Sequence, residues 1–65
     1  MKFKEVIGIL KKDGWYFVRQ TGSHQQYHHP VKHGTVTIAG KPNEDVHPKT
    51  LKSIFKQAEI LNNIS

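Results

Sequence analysis

The stretch WYFVRQTGSHQQYHH, residues 15–29, predicts a β-hairpin. Residues 15–20 are rich in aromatic and β-branched side chains, which favour strands. Residues 21–23 contain glycine and serine and form the predicted turn. Residues 24–29 are expected to form the second strand, in which side chains alternate between the two faces. This alternation places His24, Gln26 and His28 on one face.

An amphipathic helix is predicted before the hairpin. Its apolar side chains recur at helical spacing, while charged residues fall elsewhere on the helix surface. The apolar positions are Phe3, Val6, Ile7 and Leu10. Gly14 follows a lysine-bearing turn, and glycine is favoured just after a helix because it adopts the left-handed conformation without a Cβ penalty. The helix is therefore expected to end at Gly14.

A third strand and a second helix are predicted after the hairpin. Residues 30–34 contain proline and glycine and connect to a strand at residues 35–39. Pro48 suits the first turn of a helix, where its missing N–H has no partner to lose. An apolar stripe follows, made of Leu51, Ile54, Phe55 and Ala58. Almost opposite on the same helix lie Lys49, Lys52 and Lys56.

The predicted order of elements is helix, strand, strand, strand, helix. Antiparallel pairing of the three strands, with both helices on one face, gives a two-layer α+β fold and leaves the other face of the sheet open. We expect a single domain over residues 1–65. Trp15 and Phe17 are expected in its core, because large aromatic residues beside a short sheet usually bury there.

The composition describes a small, basic chain. Its 65 residues include ten Lys and Arg against five Asp and Glu, which gives a net charge of +5, and no cysteine. Such a charge favours polyanionic partners, although a basic surface also serves solubility alone. No apolar run approaches the roughly 20 residues that span a bilayer, and the N-terminus does not resemble a signal peptide. We expect a soluble, unprocessed, cytoplasmic protein.

Two motifs carry a resemblance that covers residues 3–60. The first is GSH, residues 22–24, in the hairpin turn, and the second is LKSIFKQA, residues 51–58. In this order and in a chain of this length, they resemble the HicA toxin family. Two positions depart from the family pattern. Gln25 stands where a second histidine is common, and Glu59 replaces a glycine often found after the Gln-Ala pair.

The resemblance implies several properties. It implies an α-β-β-β-α fold like that of double-stranded-RNA-binding domains, and cleavage of messenger RNA that needs no metal or other cofactor. It also implies inhibition by a cognate HicB-type antitoxin. The family's catalytic histidine corresponds to His24. The departure at Glu59 is expected to loosen the end of the last helix, because glutamate does not adopt the left-handed conformation cheaply.

An imidazole at His24 suits the cleavage of RNA. The 2′-hydroxyl attacks the adjacent phosphorus once a base removes its proton, and imidazole exists in both protonation states near neutral pH. Without the resemblance, His24 is only a polar residue at the start of a strand. The sequence does not identify the second acid or base. His28 shares the predicted face but lies about 13 Å away by strand rise, and the weaker candidates are Ser23, Tyr27 and Lys41.

Basic and polar side chains provide candidate RNA contacts. Three of them lie on the last helix, namely Lys49, Lys52 and Lys56. These lysines either bind phosphates or form an ordinary solvated face. Arg19 suits a phosphate or an acidic residue of an inhibitor, and Ser23 and Lys41 complete the set. The role of Tyr16 is also undecided, because an aromatic ring at this position either stacks on a base or completes the core.

The five histidines also suggest a metal site. His28, His29 and His33 lie close in sequence, and imidazole binds zinc. Adjacent strand residues point to opposite faces, however, and no cysteine completes a common site. Surface histidines are the simpler interpretation, and we expect no bound metal.

Two functions fit the sequence. The first is a toxin that cleaves messenger RNA, with His24 as general acid or base. The second is a non-catalytic RNA-binding module with the same fold and the same basic surface, because a fold does not determine catalysis. A protein–protein adaptor explains the charge poorly.

Overall fold

The computed structural model describes residues 1–60, which form two helices and three strands. The elements in chain order are α1 (Phe3–Lys12), β1 (Tyr16–Thr21), β2 (His24–His28), β3 (Val36–Ala39) and α2 (Pro48–Gln57). The strands form one antiparallel sheet in the order β1-β2-β3. The predicted α-β-β-β-α order and α+β class are confirmed. Within residues 1–60, neither helix is long and apolar enough to cross a membrane.

The end of α1 lies where the sequence predicts it. Gly14 follows the helix with a φ of 108°. Its N–H donates to the carbonyl of Lys11, and the N–H of Trp15 donates to the carbonyl of Leu10. This is a Schellman arrangement, which satisfies the last carbonyl groups of the helix. The start of α2 also agrees with its prediction, because Pro48 occupies the first turn.

The end of α2 repeats the Schellman arrangement with a glutamate in the glycine position. Glu59 has a φ of 53°. Its N–H donates to the carbonyl of Lys56 at 3.2 Å, and the N–H of Ile60 donates to the carbonyl of Phe55 at 3.0 Å. The left-handed conformation costs a residue other than glycine about 1–2 kcal/mol. The helix end that we expected to be loosened is therefore closed by hydrogen bonds, with backbone strain at Glu59.

β2 is the central strand, and its pairing assigns a face to each side chain. The register between β1 and β2 shifts between Phe17 and Arg19, so that Val18 forms a bulge. The bulge moves the alternation of β1 by one position, and Tyr16 and Arg19 consequently share a face. The alternation predicted for β2 is confirmed. The open face of the sheet carries Tyr16, Arg19, Thr21, His24, Gln26, His28, Thr37 and Ala39.

Both helices pack on the other face of the sheet around one hydrophobic cluster. The cluster draws on both helices, on Trp15, on β2 and β3, and on one residue of the loop before α2. Its members are Phe3, Val6, Leu10, Trp15, Tyr27, Val36, Ile38, Val46, Ile54, Phe55 and Ala58. The two-layer arrangement with both helices on one face is therefore confirmed.

Phe17 is not part of this core. Trp15 is buried as predicted, but Phe17 is 49% exposed. Its ring lies on the helix side of the sheet, and its centroid is 5.9 Å from that of Tyr27, a member of the cluster. Burial requires an element that covers the side chain, and α2 packs against β3 at the opposite edge of the sheet. The prediction for Phe17 was wrong because α2 covers β3 and leaves the helix side of β1, at the other edge of the sheet, exposed at this position.

Candidate active site

His24 begins β2, directly after the turn that follows β1. Its side chain is exposed on the open face, between the cross-strand partners Thr21 and Ala39. Both partners have small side chains, which leave room around the imidazole. Within residues 1–60, the ring nitrogens that make hydrogen bonds belong to other histidines. The imidazole of His24 is thus accessible to a polymer that approaches from solvent.

Arg19 lies on the open face close to His24. The two residues occupy diagonal positions on paired strands, which places their backbones about 7–8 Å apart by sheet geometry, within reach of long side chains. Nε of Arg19 donates a hydrogen bond to Oε1 of Gln26 at 3.0 Å. The ion pairs of residues 1–60 do not involve Arg19. Its terminal amino groups can therefore form the forked contact that a phosphate accepts.

The far end of the open face carries His28 and Tyr16. The two rings meet edge to face, with centroids 6.5 Å apart. Nε2 of His28 also lies 3.2 Å from Oγ1 of Thr35. Tyr16 is about half exposed, so its ring is free to stack on a base rather than being part of the core. His28 stays four residues, or about 13 Å of strand, from His24 and is not a direct partner on one phosphate.

Among the residues that the structure describes, the open face carries no carboxylate. The five carboxylates of residues 1–60 lie on helices, at helix ends or in the loop before α2, and they are Glu5, Asp13, Glu44, Asp45 and Glu59. Arg19 is therefore the only formal charge on this face of the described chain when the histidines are neutral. A positively charged surface with an exposed imidazole suits a polyanion with a reactive phosphate.

Ser23 and Lys41 lie at the rim of this site, where both line a pocket of about 450 Å³. The pocket lies at the end of the sheet, between the β1–β2 turn and the segment that follows β3. Its lining residues are Gln20, Ser23, Gln25, Ala39, Gly40, Lys41, Pro42 and Glu44. Gln20, Gln25 and Glu44 were not predicted as site residues. Pairing of the hairpin would have placed Gln20 opposite Gln25, but no sequence signal brings Glu44 to them.

Tyr27 is not available as the second acid or base. It lies on the helix side of the sheet, opposite to His24, and only 2% of its surface is exposed. Its hydroxyl donates a hydrogen bond to Oε1 of Gln25 at 2.8 Å. Burial raises the pKa of the Tyr27 phenol above its usual value, which keeps the group neutral near neutral pH.

The lysine stripe of α2 lies on the opposite side of the molecule from His24. Ile54 and Phe55 turn into the core, and α2 covers the helix side of the sheet. The outward positions of this helix are exposed, and they include Lys49, Lys52 and Lys56. The structure therefore brings Arg19, Ser23 and Lys41 near His24, but not these three lysines.

His29 has a structural role. Its Nδ1 accepts hydrogen bonds from the backbone N–H groups of Val31 and Lys32, both at 3.0 Å. Nε2 therefore carries the proton and donates to the carbonyl of Asp13 at 2.6 Å. The ring packs against Trp15 with centroids 5.2 Å apart. Within residues 1–60, no group of three or more His, Cys, Asp or Glu is arranged to hold a metal ion.

A comparison with known protein families identifies the family of this chain. The family model described as HicA toxin of bacterial toxin-antitoxin matches residues 3–60, which include both helices, all three strands and His24. A search of curated proteins found no match. The family match covers nearly the whole chain and confirms the resemblance carried by the two motifs. The chain belongs to the HicA toxin family of bacterial toxin–antitoxin systems.

Proposed function

We propose that this toxin is an endoribonuclease that cleaves messenger RNA without a metal ion, with His24 as general acid or base. The observation that carries the proposal is the exposed imidazole of His24, in a chain of the HicA family. Within residues 1–60 this imidazole makes no hydrogen bond and shares its sheet face with no carboxylate. Cleavage would proceed by attack of the 2′-hydroxyl on the adjacent phosphorus. Messenger RNA as substrate places this activity in the cytoplasm.

His24 moves a proton in this reaction. As base it takes the proton of the 2′-hydroxyl, and as acid it gives a proton to the departing 5′-oxygen. The bond that forms joins the 2′-oxygen to phosphorus, and the bond that breaks joins phosphorus to the 5′-oxygen. A positioned acid or base accelerates such a step by about 10² to 10⁴.

Arg19 supplies the positive charge that this reaction needs. Negative charge accumulates on the phosphorane oxygens in the transition state, and a guanidinium held in place stabilises it. The hydrogen bond from Arg19 to Gln26 limits the motion of the guanidinium. Tyr16, further along the same face, offers a ring on which a neighbouring base stacks.

We further propose that a HicB-type antitoxin inhibits this toxin by covering the open face. Arg19 and His24 are exposed together there, so one protein surface can block both. Acidic residues on the antitoxin would match the positive charge and speed association. Binding to the folded toxin would also stabilise its small fold by mass action.

The second candidate function is an RNA-binding module that does not cleave. The exposed lysines of α2 and the positively charged sheet face both fit this function. The two functions differ in their need for His24, because a binding protein needs charge and stacking but no proton transfer.

The test compares the parent with His24→Ala on RNA in the presence of EDTA, and the product ends are identified. The matched control is His33→Ala, which removes another exposed imidazole from a loop. We expect cyclic phosphate ends from the parent and the control, and none above background from His24→Ala. Equal cleavage by parent and His24→Ala would contradict the role of His24. A parent that binds RNA and leaves it intact would establish the non-catalytic function.

A further inference from the structure

The pocket at the end of the sheet is lined by neighbours of His24. Ser23 and Gln25, its neighbours in sequence, both line the pocket, and so does Ala39, its cross-strand partner on β3. Consecutive Cα atoms are about 3.8 Å apart. Ala39 points to the open face, whereas Gln20 and Gln25 point to the helix side. The pocket therefore extends around the end of the sheet and begins one residue away from His24. The pocket volume of about 450 Å³ falls in the range of sites for small ligands.

Two glutamines that are paired across the hairpin line this pocket. Gln20 and Gln25 are cross-strand partners. Nε2 of Gln20 donates a hydrogen bond to the carbonyl of Gly22 at 2.8 Å, and a carbonyl can only accept. The amide oxygen of Gln20 is therefore left to accept a hydrogen bond from a ligand, beside the second N–H of its amino group, which is left to donate. Oε1 of Gln25 accepts the hydroxyl of Tyr27, which leaves its amino group as a donor.

Glu44 adds a carboxylate to the same pocket. Its Oε1 accepts the backbone N–H of Lys41 at 2.8 Å, and its own N–H donates to the carbonyl of Lys41 at 3.0 Å. The turn is also anchored to the start of α1, because the N–H of Phe3 donates to the carbonyl of Glu44. The carboxylate is thus part of a fixed wall, and its remaining lone pairs can accept hydrogen bonds from a ligand.

The chemistry of the wall favours a base over a phosphate. Glu44 and the amide oxygen of Gln20 are acceptors, so they attract N–H donors and repel phosphate oxygens. Ala39 and Pro42 add apolar surface suited to a flat ring. Lys41, whose ammonium forms no ion pair within residues 1–60, suits a flanking phosphate. Among the bases, guanine offers two adjacent donors, N1–H and the 2-amino group, beside the acceptor O6.

We propose that this pocket binds the nucleobase next to the scissile phosphate, and that it selects a base with an amino group, guanine above all and uracil least. Glu44 and Gln20 accept from the donor edge, while Gln25 donates to O6. This inference rests on the proposed function, because it identifies the pocket as a subsite that continues from the RNA-cleaving face around the end of the sheet. Single-stranded RNA is commonly read in this way, by hydrogen bonds to splayed bases.

The test uses a pool of random-sequence RNA, from which the cut ends are sequenced. The proteins are the parent, Glu44→Gln, and the matched control Asp45→Asn, which removes one negative charge from the same loop but does not line the pocket. The Glu44→Gln side chain retains an oxygen that can accept the backbone N–H of Lys41. We expect the parent to prefer guanine over uracil at one fixed position beside the cut. Glu44→Gln should reduce that ratio about tenfold, and Asp45→Asn should keep it.

Two outcomes overturn the inference while leaving the nuclease in place. One is cleavage by the parent with no preference between guanine and uracil beside the cut, and the other is an unchanged preference in Glu44→Gln.

A binding experiment separates this inference from the proposed function. GMP and UMP are titrated into His24→Ala protein, and the NMR signals of Gln20 and Gln25 are followed. Larger shifts with GMP support the subsite even if the parent fails to cleave RNA. Equal or absent shifts at these residues contradict it.

Discussion

The helix side of the molecule is held together by buried contacts and hydrogen bonds, whereas the open face of the sheet carries exposed side chains with few partners. On the helix side, Nζ of Lys32 donates to Oδ2 of Asp13 at 2.6 Å and to the carbonyls of Ala58 and Glu59 at 3.0 and 2.9 Å. One ammonium thus joins the ends of both helices. On the open face, the side chain of Arg19 makes one hydrogen bond to the described residues 1–60.

The difference indicates that stability and chemistry depend on separate surfaces. Side chains that close helix ends and fill the core determine whether the chain folds. Side chains of the open face are free to contact RNA because the fold does not need their polar atoms. Substitutions on the helix side should therefore change the free energy of unfolding, and those on the open face should change RNA binding or cleavage.

A large loss of stability is expected from Gly14→Ala. The φ of 108° is strained for alanine, and a Cβ would lie 2.7 Å from Nε2 of His29, whose ring is held by hydrogen bonds. Backbone strain and overpacking together should cost about 3 kcal/mol, measured by urea unfolding. The control is Gly8→Ala in the middle of α1, where a Cβ meets nothing within 4 Å. That change should raise stability by about 0.5–1 kcal/mol. Equal stability of the two variants would contradict the account.

The next largest loss of stability is expected from Lys32→Met. Methionine keeps the apolar stem but removes the ammonium that binds Asp13 and the end of α2. The ion pair is partly exposed, with 23% and 34% of the two side chains accessible, so we expect a loss of about 1–2 kcal/mol. Lys11→Met, on the exposed face of α1, serves as control and should change stability by less than about 0.5 kcal/mol. A loss of RNA cleavage per folded molecule in Lys32→Met would break the separation of the two surfaces.

Arg19→Ala tests whether a substitution on the open face changes RNA binding and leaves stability unchanged. We expect RNA affinity to fall about tenfold, because a charge-assisted contact to phosphate is lost, with the unfolding midpoint unchanged. The slope of log affinity against log salt should decrease by about one. Lys52→Ala, on the outward side of α2, should leave the slope as in the parent. The reverse pattern would assign RNA binding to the helix side.

The smallest expected effect is a gain in stability from Glu59→Gly. Glycine adopts the left-handed conformation without strain, but it also has more freedom in the unfolded chain. The net gain should therefore be about 0.5–1 kcal/mol by thermal unfolding. Gln57→Gly, two residues earlier in the last turn of α2, should instead cost about 1 kcal/mol. A loss of stability in Glu59→Gly would show that the glutamate itself contributes at this position.

The sequence predicted those features that depend on local chemistry. Gly14 and Pro48 marked a helix end and a helix start, because their conformational preferences act at a single position. The alternation of His24 and His28 on one face followed from the period of a strand. The exposure of Phe17 was not predictable in this way, because it depends on which strand the helices cover.

The candidate site was predicted only in part, because some of its geometry depends on contacts between distant parts of the chain. The position of His24 follows from the turn before it. The face of Arg19 depends on the bulge at Val18, which has no sequence signal. Glu44 and Gln20 are 24 positions apart, and only the pairing of the strands and the turn after β3 bring them to one pocket.

The most direct test of the account is the rate of a single turnover of RNA cleavage with the toxin in saturating excess, which removes differences in affinity. The proteins are the parent, His24→Ala and the triple variant in which Lys49, Lys52 and Lys56 are replaced by alanine. We expect His24→Ala to be slower than the parent by at least about 100-fold, and the triple variant to cleave at the parent's rate. Cleavage by His24→Ala at the parent's rate, or an equal loss in the triple variant, would contradict the assignment of the chemistry to the open face.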